Sequence, residues 1–192
     1  MEHETGTFTD SRDGKAYRTE KIGRYTWLAE NLSYRTDEGS WCYDDDEANA
    51  DKWGRLYTWD AAVAACPKGW HLPTFGEWKN LIMRTNSAAP LKAKSGWGEH
   101  GNGTDYYRFS ALPGGKYDCS GKGFHGAGMC GGWWTNKESK HSDNAASIVI
   151  SDYSGDNKEA NLYYENKGCG LSVRCVKDEI KAGFQKVFTA IP

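Results

Sequence analysis

Six cysteines constrain this chain more than any other feature. They stand at Cys42, Cys66, Cys119, Cys130, Cys169 and Cys175. An even number suits three bridges and an oxidising compartment, against which stands a set of buried thiols. No C-x-x-C occurs. The closest pair, Cys169 and Cys175, has five residues between its members, so zinc ligation is disfavoured and no metal is expected.

A bridged chain of 192 residues still needs a core. Mean hydropathy is low, −0.78, yet 38% of residues are hydrophobic. Nine Trp, eleven Tyr and six Phe reconcile the two, because each can bury a large area. The expected core is therefore aromatic, with Trp59, Trp70 and Trp78 inside. Twenty-three glycines imply many tight turns. A net charge of −2 without a basic stripe argues against nucleic acid. No apolar run approaches the ~18 residues of a membrane span. The polar start Met1-Glu2-His3-Glu4 reads as what is left once an export leader has gone.

Residues 7–32 read as β-structure, with turns at Asp13-Gly14 and Gly23-Arg24. Residues 33–52 read as a polar loop around Asp44-Asp45-Asp46-Glu47. Two helices follow. Asp60 would cap an alanine-rich helix through Cys66, stopped by Pro67. Thr74 and Glu77 form a capping box, ahead of Trp78, Leu81 and Ile82 at helical spacing. Ser95–Gly132 reads as a long glycine-rich loop with one short run at 108–112, of the kind that is functional or stapled. Residues 145–150 and 159–164 form a hairpin, and 171–176 a last strand. The expected division is an extension at 1–6, one domain at 7–178, and a tail or linker at 179–192.

Several ordered motifs carry a family resemblance. They include Trp27-Leu28-Ala29-Glu30-Asn31-Leu32, Gly54-Arg55-Leu56-Tyr57-Thr58-Trp59, Cys66-Pro67-Lys68-Gly69-Trp70-His71-Leu72-Pro73-Thr74 with Glu77-Trp78, and Phe109-Ser110-Ala111-Leu112-Pro113-Gly114-Gly115. Gly132-Trp133-Trp134-Thr135 and Ser172-Val173-Arg174-Cys175-Val176 complete the set. Over about residues 7–178 the chain resembles the Fibrobacter succinogenes major paralogous domain. That resemblance implies an α+β, C-type lectin-like fold, similar to the formylglycine-generating, sulfatase-modifying type. It would have two short helices on a small twisted antiparallel sheet, with long irregular disulfide-stapled loops. The family usually has a second cysteine where this chain has Ala50, and Cys169 is unusual in it. The simplest account is that Cys42 has taken Cys169 as its partner. The full expected pairing is Cys66–Cys175, Cys119–Cys130 and Cys42–Cys169.

Candidate sites are few. The acidic cluster offers oxygens to Ca²⁺ but lacks EF-hand or lectin-type spacing, and a solvated loop is the simpler reading. His71 lies in a packing motif, so a structural role is favoured. Trp133-Trp134 is the most suggestive element. Strand alternation would turn one indole inward and the other outward, although both can be core. An outward indole beside Asn136, Glu138 and Tyr153 would suit a ligand surface on the long loop and late hairpin. No nucleophile elbow or phosphate loop is present, so no catalytic residue and no cofactor is assigned. The expected function is a surface-exposed binding or adhesion module, outside the cell or on its surface. It would meet a glycan or protein ligand, with room for membership of a larger surface assembly. The alternatives are a catalytic relative of formylglycine-generating enzymes and a hypervariable ligand-display protein.

Overall fold

The computed structural model describes residues 4–85, 87–98, 101–151 and 160–179. It is an α+β structure with three short helices and two sheets, stapled by two disulfides.

The first sheet begins as the turn signals at Asp13-Gly14 and Gly23-Arg24 require. Strand β1 (Glu4–Thr9) pairs antiparallel with β2 (Ala16–Ile22), and β2 pairs with β3 (Tyr25–Leu28). Strands β6 (Trp70–His71) and β13 (Val176–Lys177) complete it in the order β1-β2-β3-β13-β6. Because β1 starts at Glu4, the sheet reaches into the expected N-terminal extension.

The second sheet runs β11-β10-β9-β12-β5-β4. Its strands are β4 (Ser40–Trp41), β5 (Leu56–Tyr57), β9 (Cys130–Glu138), β10 (Asn144–Ser151), β11 (Ala160–Asn166) and β12 (Leu171–Ser172). The late hairpin β10–β11 stands where the sequence places it. The glycine-rich stretch does not stay a loop. It contains an antiparallel hairpin of β7 (Gly114–Asp118) and β8 (Gly123–Ala127), with β7 laid parallel beside β9. Gly115 makes that approach possible. Its φ is +67°, and a Cβ there would lie 2.6 Å from the His125 carbonyl oxygen and 2.7 Å from the Tyr43 ring.

Among the described residues three α-helices form, one more than expected. Helix α1 (Glu47–Trp53) lies inside the segment read as a loop. Asp46 is its N-cap, accepting from the Ala48 N–H at 3.0 Å, and Gly54 ends it at φ +78°. Helix α2 (Trp59–Ala65) is capped by Thr58, whose hydroxyl accepts from the Ala61 N–H, and not by Asp60. Helix α3 (Phe75–Thr85) has the expected capping box. Thr74 Oγ1 accepts from the Glu77 N–H at 3.1 Å, while Glu77 Oε2 accepts from the Thr74 N–H at 2.6 Å.

Two apolar clusters form the interior. One gathers Tyr17, Leu28, Tyr57, Leu72, Trp134 and Val173. The other gathers Trp27, Trp78, Phe109, Trp133, Ile148 and Val176. Its rings meet edge to face, with centroids 5.0 Å apart for Trp27–Trp78 and 5.7 Å for Trp78–Phe109. Trp78 and Trp70 are buried; Trp59 is half-buried at the edge, its indole N–H donating to the Thr135 carbonyl at 2.9 Å.

Trp133 and Trp134 point to opposite faces of β9, as alternation demands. Both faces of β9 are covered, so each indole enters a different cluster and neither is exposed. The expectation of one outward indole is corrected on that ground. Trp133 Nε1 donates to Asn31 Oδ1 at 2.9 Å, and Trp134 Nε1 to the Tyr57 carbonyl at 2.7 Å.

The disulfides also differ from expectation. Cys66–Cys175 forms, but Cys119 pairs with Cys169 rather than Cys130. Cys42 and Cys130 are buried and lie outside both bridges. With β7–β8 formed, Cys119 sits at the tip of the hairpin and meets the segment after β11. Cys130 starts β9, at the hairpin's base.

Candidate ligand cavity

The face of β9 that carries Trp134 continues to Gly132 and Cys130. Trp134 fills its share of space; at Gly132 the Leu171 side chain comes in instead, its Cδ2 3.0 Å from where a Cβ would stand. Across the ladder, Gly132 pairs with Val149 and Cys130 with Ser151 of β10, and all are small. Beyond β10 stand Tyr163 and Glu165, two residues apart on one face of β11. The β7–β8 hairpin closes the other side with Gly115, Lys116 and His125. Between them lies a half-enclosed cavity of about 270 Å³, with Leu171 at its base.

The polar groups of the cavity converge across it. Lys116 Nζ lies 3.3 Å from Glu165 Oε1 and 3.4 Å from Oε2, joining the two hairpins. Both side chains are about three-quarters buried. His125 stands opposite Lys116 in the ladder, with Nδ1 3.4 Å from the Gly123 carbonyl. Tyr163 is 49% exposed and forms the rim.

The opposite face of the hairpin explains why this wall holds its place. Tyr117 and Phe124 are paired there. Tyr117 stacks on Trp41 at 4.7 Å, Phe124 meets Tyr43 at 5.5 Å, and Tyr43 meets Trp53 at 5.5 Å. These half-buried rings belong to neither core cluster and fasten the hairpin to β4 and α1. The Cys119–Cys169 bridge fastens its tip.

Of the residues proposed from sequence, Asn136 and Glu138 are exposed at the far end of β9. The Asn136 N–H donates to the Pro73 carbonyl, and Glu138 pairs with Lys167. Neither lines the cavity. Tyr153 lies outside the described residues. The acidic cluster is put to local use. Asp46 caps α1, Glu47 pairs with buried Arg55, and Asp44 and Asp45 have positive φ in a single 3-10 turn. Among the described residues, one group of three metal-capable side chains comes within 4.8 Å: Asp118, Cys119 and Cys169. Its two sulfurs are already bonded to each other.

His71 is held between two carboxylates. Nδ1 lies 2.6 Å from Asp178 Oδ1, and Nε2 lies 3.0 Å from Glu77 Oε1. Burial alone would lower its pKa; the hydrogen bonds to Asp178 and Glu77 outweigh that and raise it. This histidine ties β6 to α3 and to the end of β13.

Lys116 and His125 escaped the sequence reading because nothing marked their stretch as a hairpin, and Glu165 lies one residue past the expected strand at 159–164. The available signal was the run of glycines itself, spaced as turns and close approaches.

The segment from Lys21 to Lys177 matches the model of the Fibrobacter succinogenes major domain family. The chain belongs to that family. The Fibrobacter succinogenes major domain thus begins inside β2 and ends with β13, and it contains every residue of the cavity. No curated protein and no solved structure matches the chain.

Proposed function

We propose that this domain is a non-catalytic binding module of an exported protein, C-type lectin-like in arrangement, which takes part of a glycan or protein ligand into the cavity between β7–β8 and β10–β11. The observation that carries the reading is the cavity itself. It has an apolar base, a charge pair across it and an exposed tyrosine at its mouth, which is how small-ligand sites combine shape with a few placed polar groups. Its walls are hairpins on a rigid aromatic core, where recognition is usually placed. Two disulfides support an oxidising compartment, outside the cell or on its surface. No helix among the described residues is long and apolar enough to cross a membrane.

Glycan and peptide arrays probed with the purified domain test this, beside Val149→Trp, which would fill the cavity from its β10 wall. We expect hits from one array that Val149→Trp loses while melting within a few degrees of the parent. Hits that the variant keeps would place the site elsewhere.

A second reading, a catalytic relative of formylglycine-generating enzymes, draws on Cys130, a thiol on the cavity wall. Such chemistry needs a reactive cysteine. Alkylation of native protein at neutral pH discriminates: rapid, selective labelling of Cys130 favours the enzyme, and labelling only after unfolding favours the binding module.

A further inference from the structure

We infer that the cavity occupant is a neutral polyhydroxylated ring, a single sugar residue of hexose size, and not a charged group or a purely apolar one. The inference rests on the binding reading above and names the ligand class for that site.

Size sets the first limit. Small-molecule sites usually span roughly 300–1,000 Å³. At about 270 Å³ this cavity takes one ring and little more.

Charge sets the second. Lys116 and Glu165 already neutralise each other at 3.3 Å, with 27% and 22% of their side chains exposed. A carboxylate or phosphate entering beside Lys116 would face Glu165, and an ammonium beside Glu165 would face Lys116. Either leaves one charge uncompensated in a partly desolvated space. An apolar ring would strip water from both groups and return no hydrogen bond. Two neighbouring hydroxyls answer both members of the pair: one O–H donates to the Glu165 carboxylate, and the other oxygen accepts from the Lys116 ammonium.

Shape sets the third. A pyranose has polar edges and a C–H face. Val149 and Leu171 offer that face an apolar base, and Tyr163 offers a ring at the rim. Ser151 and His125 stand on the walls for further hydroxyls.

The test titrates ¹⁵N-labelled domain with four probes: methyl glycosides of common neutral hexoses, the corresponding uronic acids, the 2-amino-2-deoxy sugars, and cyclohexanol. We expect at least one neutral glycoside to shift the amides of Lys116, His125, Val149 and Glu165, with the charged counterparts about tenfold weaker and cyclohexanol weaker still. Lys116→Met and Glu165→Gln should each weaken the neutral sugar by about tenfold without moving the rest of the spectrum. A uronic acid, an amino sugar or cyclohexanol that shifts these amides more strongly than every neutral glycoside overturns the sugar class and leaves the cavity a binding site. If no probe shifts them, the sugar class is rejected. Array hits that Val149→Trp does not lose then reject the cavity reading as well.

Discussion

Asn31 is fully committed in the interior. Its Oδ1 accepts from Trp133 Nε1 and from Arg174 Nε, both at 2.9 Å, and its Nδ2 donates to the Trp53 carbonyl and to Ser172 Oγ. Arg174 is wholly buried, and its guanidinium also donates to the carbonyls of Leu28, Phe109 and Ser110 and lies 4.3 Å from the Phe109 ring centroid. Burial pushes its pKa down to about 9, which still leaves it charged at neutral pH. An amide is the one neutral side chain of this size able to accept from both donors while donating twice. Asn31→Leu should therefore destabilise by about 2–4 kcal/mol, since each orphaned buried donor costs ~1–3 kcal/mol. Urea unfolding measures it; a loss under 0.5 kcal/mol would show that water replaces the amide. Cys42 is disfavoured as a thiolate for a related reason. Burial pushes its thiol pKa up, and its hydrogen bond to Glu47 acts in the same direction. None of these partnerships was legible in the sequence, because Asn31 and Arg174 are 143 positions apart and meet only once two sheets have formed.

At the scale of elements, the capping box is a local device and was read directly. Thr74→Ala should cost about 1 kcal/mol, measured by thermal melting. The His71 contact joins three elements and responds to pH. The folded pKa lies above the ordinary 6.5, so protonation favours the folded state. Its stabilising contribution is complete below about pH 6.5 and is lost as pH rises through the folded value. Melting temperature should therefore fall across that window in the parent and less in His71→Gln; parallel profiles would remove His71 from the account. The β7–β8 hairpin shows where local reading stops. Strand signals come from β-branched and aromatic runs, and here only Tyr117 and Phe124 supply them amid glycines. What makes the strand is tertiary: the ring contacts to Trp41 and Tyr43, and the bridge to Cys169. Without a visible hairpin, Cys119 and Cys130 looked like the two ends of one loop. Cys119→Ser with Cys169→Ser removes a closure of 50 residues, worth roughly 3–4 kcal/mol on the chain-entropy scale. We expect a lower melting temperature and faster proteolysis between Gly114 and Ala127. Unchanged melting would mean the aromatic contacts suffice.

For the whole molecule, the decisive count is of thiols. Unfolding without reductant and alkylating should add two labels, at Cys42 and Cys130; none or four would contradict the bridge pattern. The architecture follows from β9 being covered on both faces. Alternating strands at the two ends of the sequence, the aromatic core and the Cys66–Cys175 staple were all legible. The second apolar layer was not, because a strand buried on both sides carries the same Trp-Trp pair as one with a face in solvent. The last described segment has a consequence in time. Within residues 171–177, β12 enters one sheet and β13 the other, and Cys175 between them closes the 109-residue bridge. A growing polypeptide therefore cannot complete either sheet until residues 171–177 have left the ribosome, so the two sheets and the long bridge close together, after every other described strand has been made.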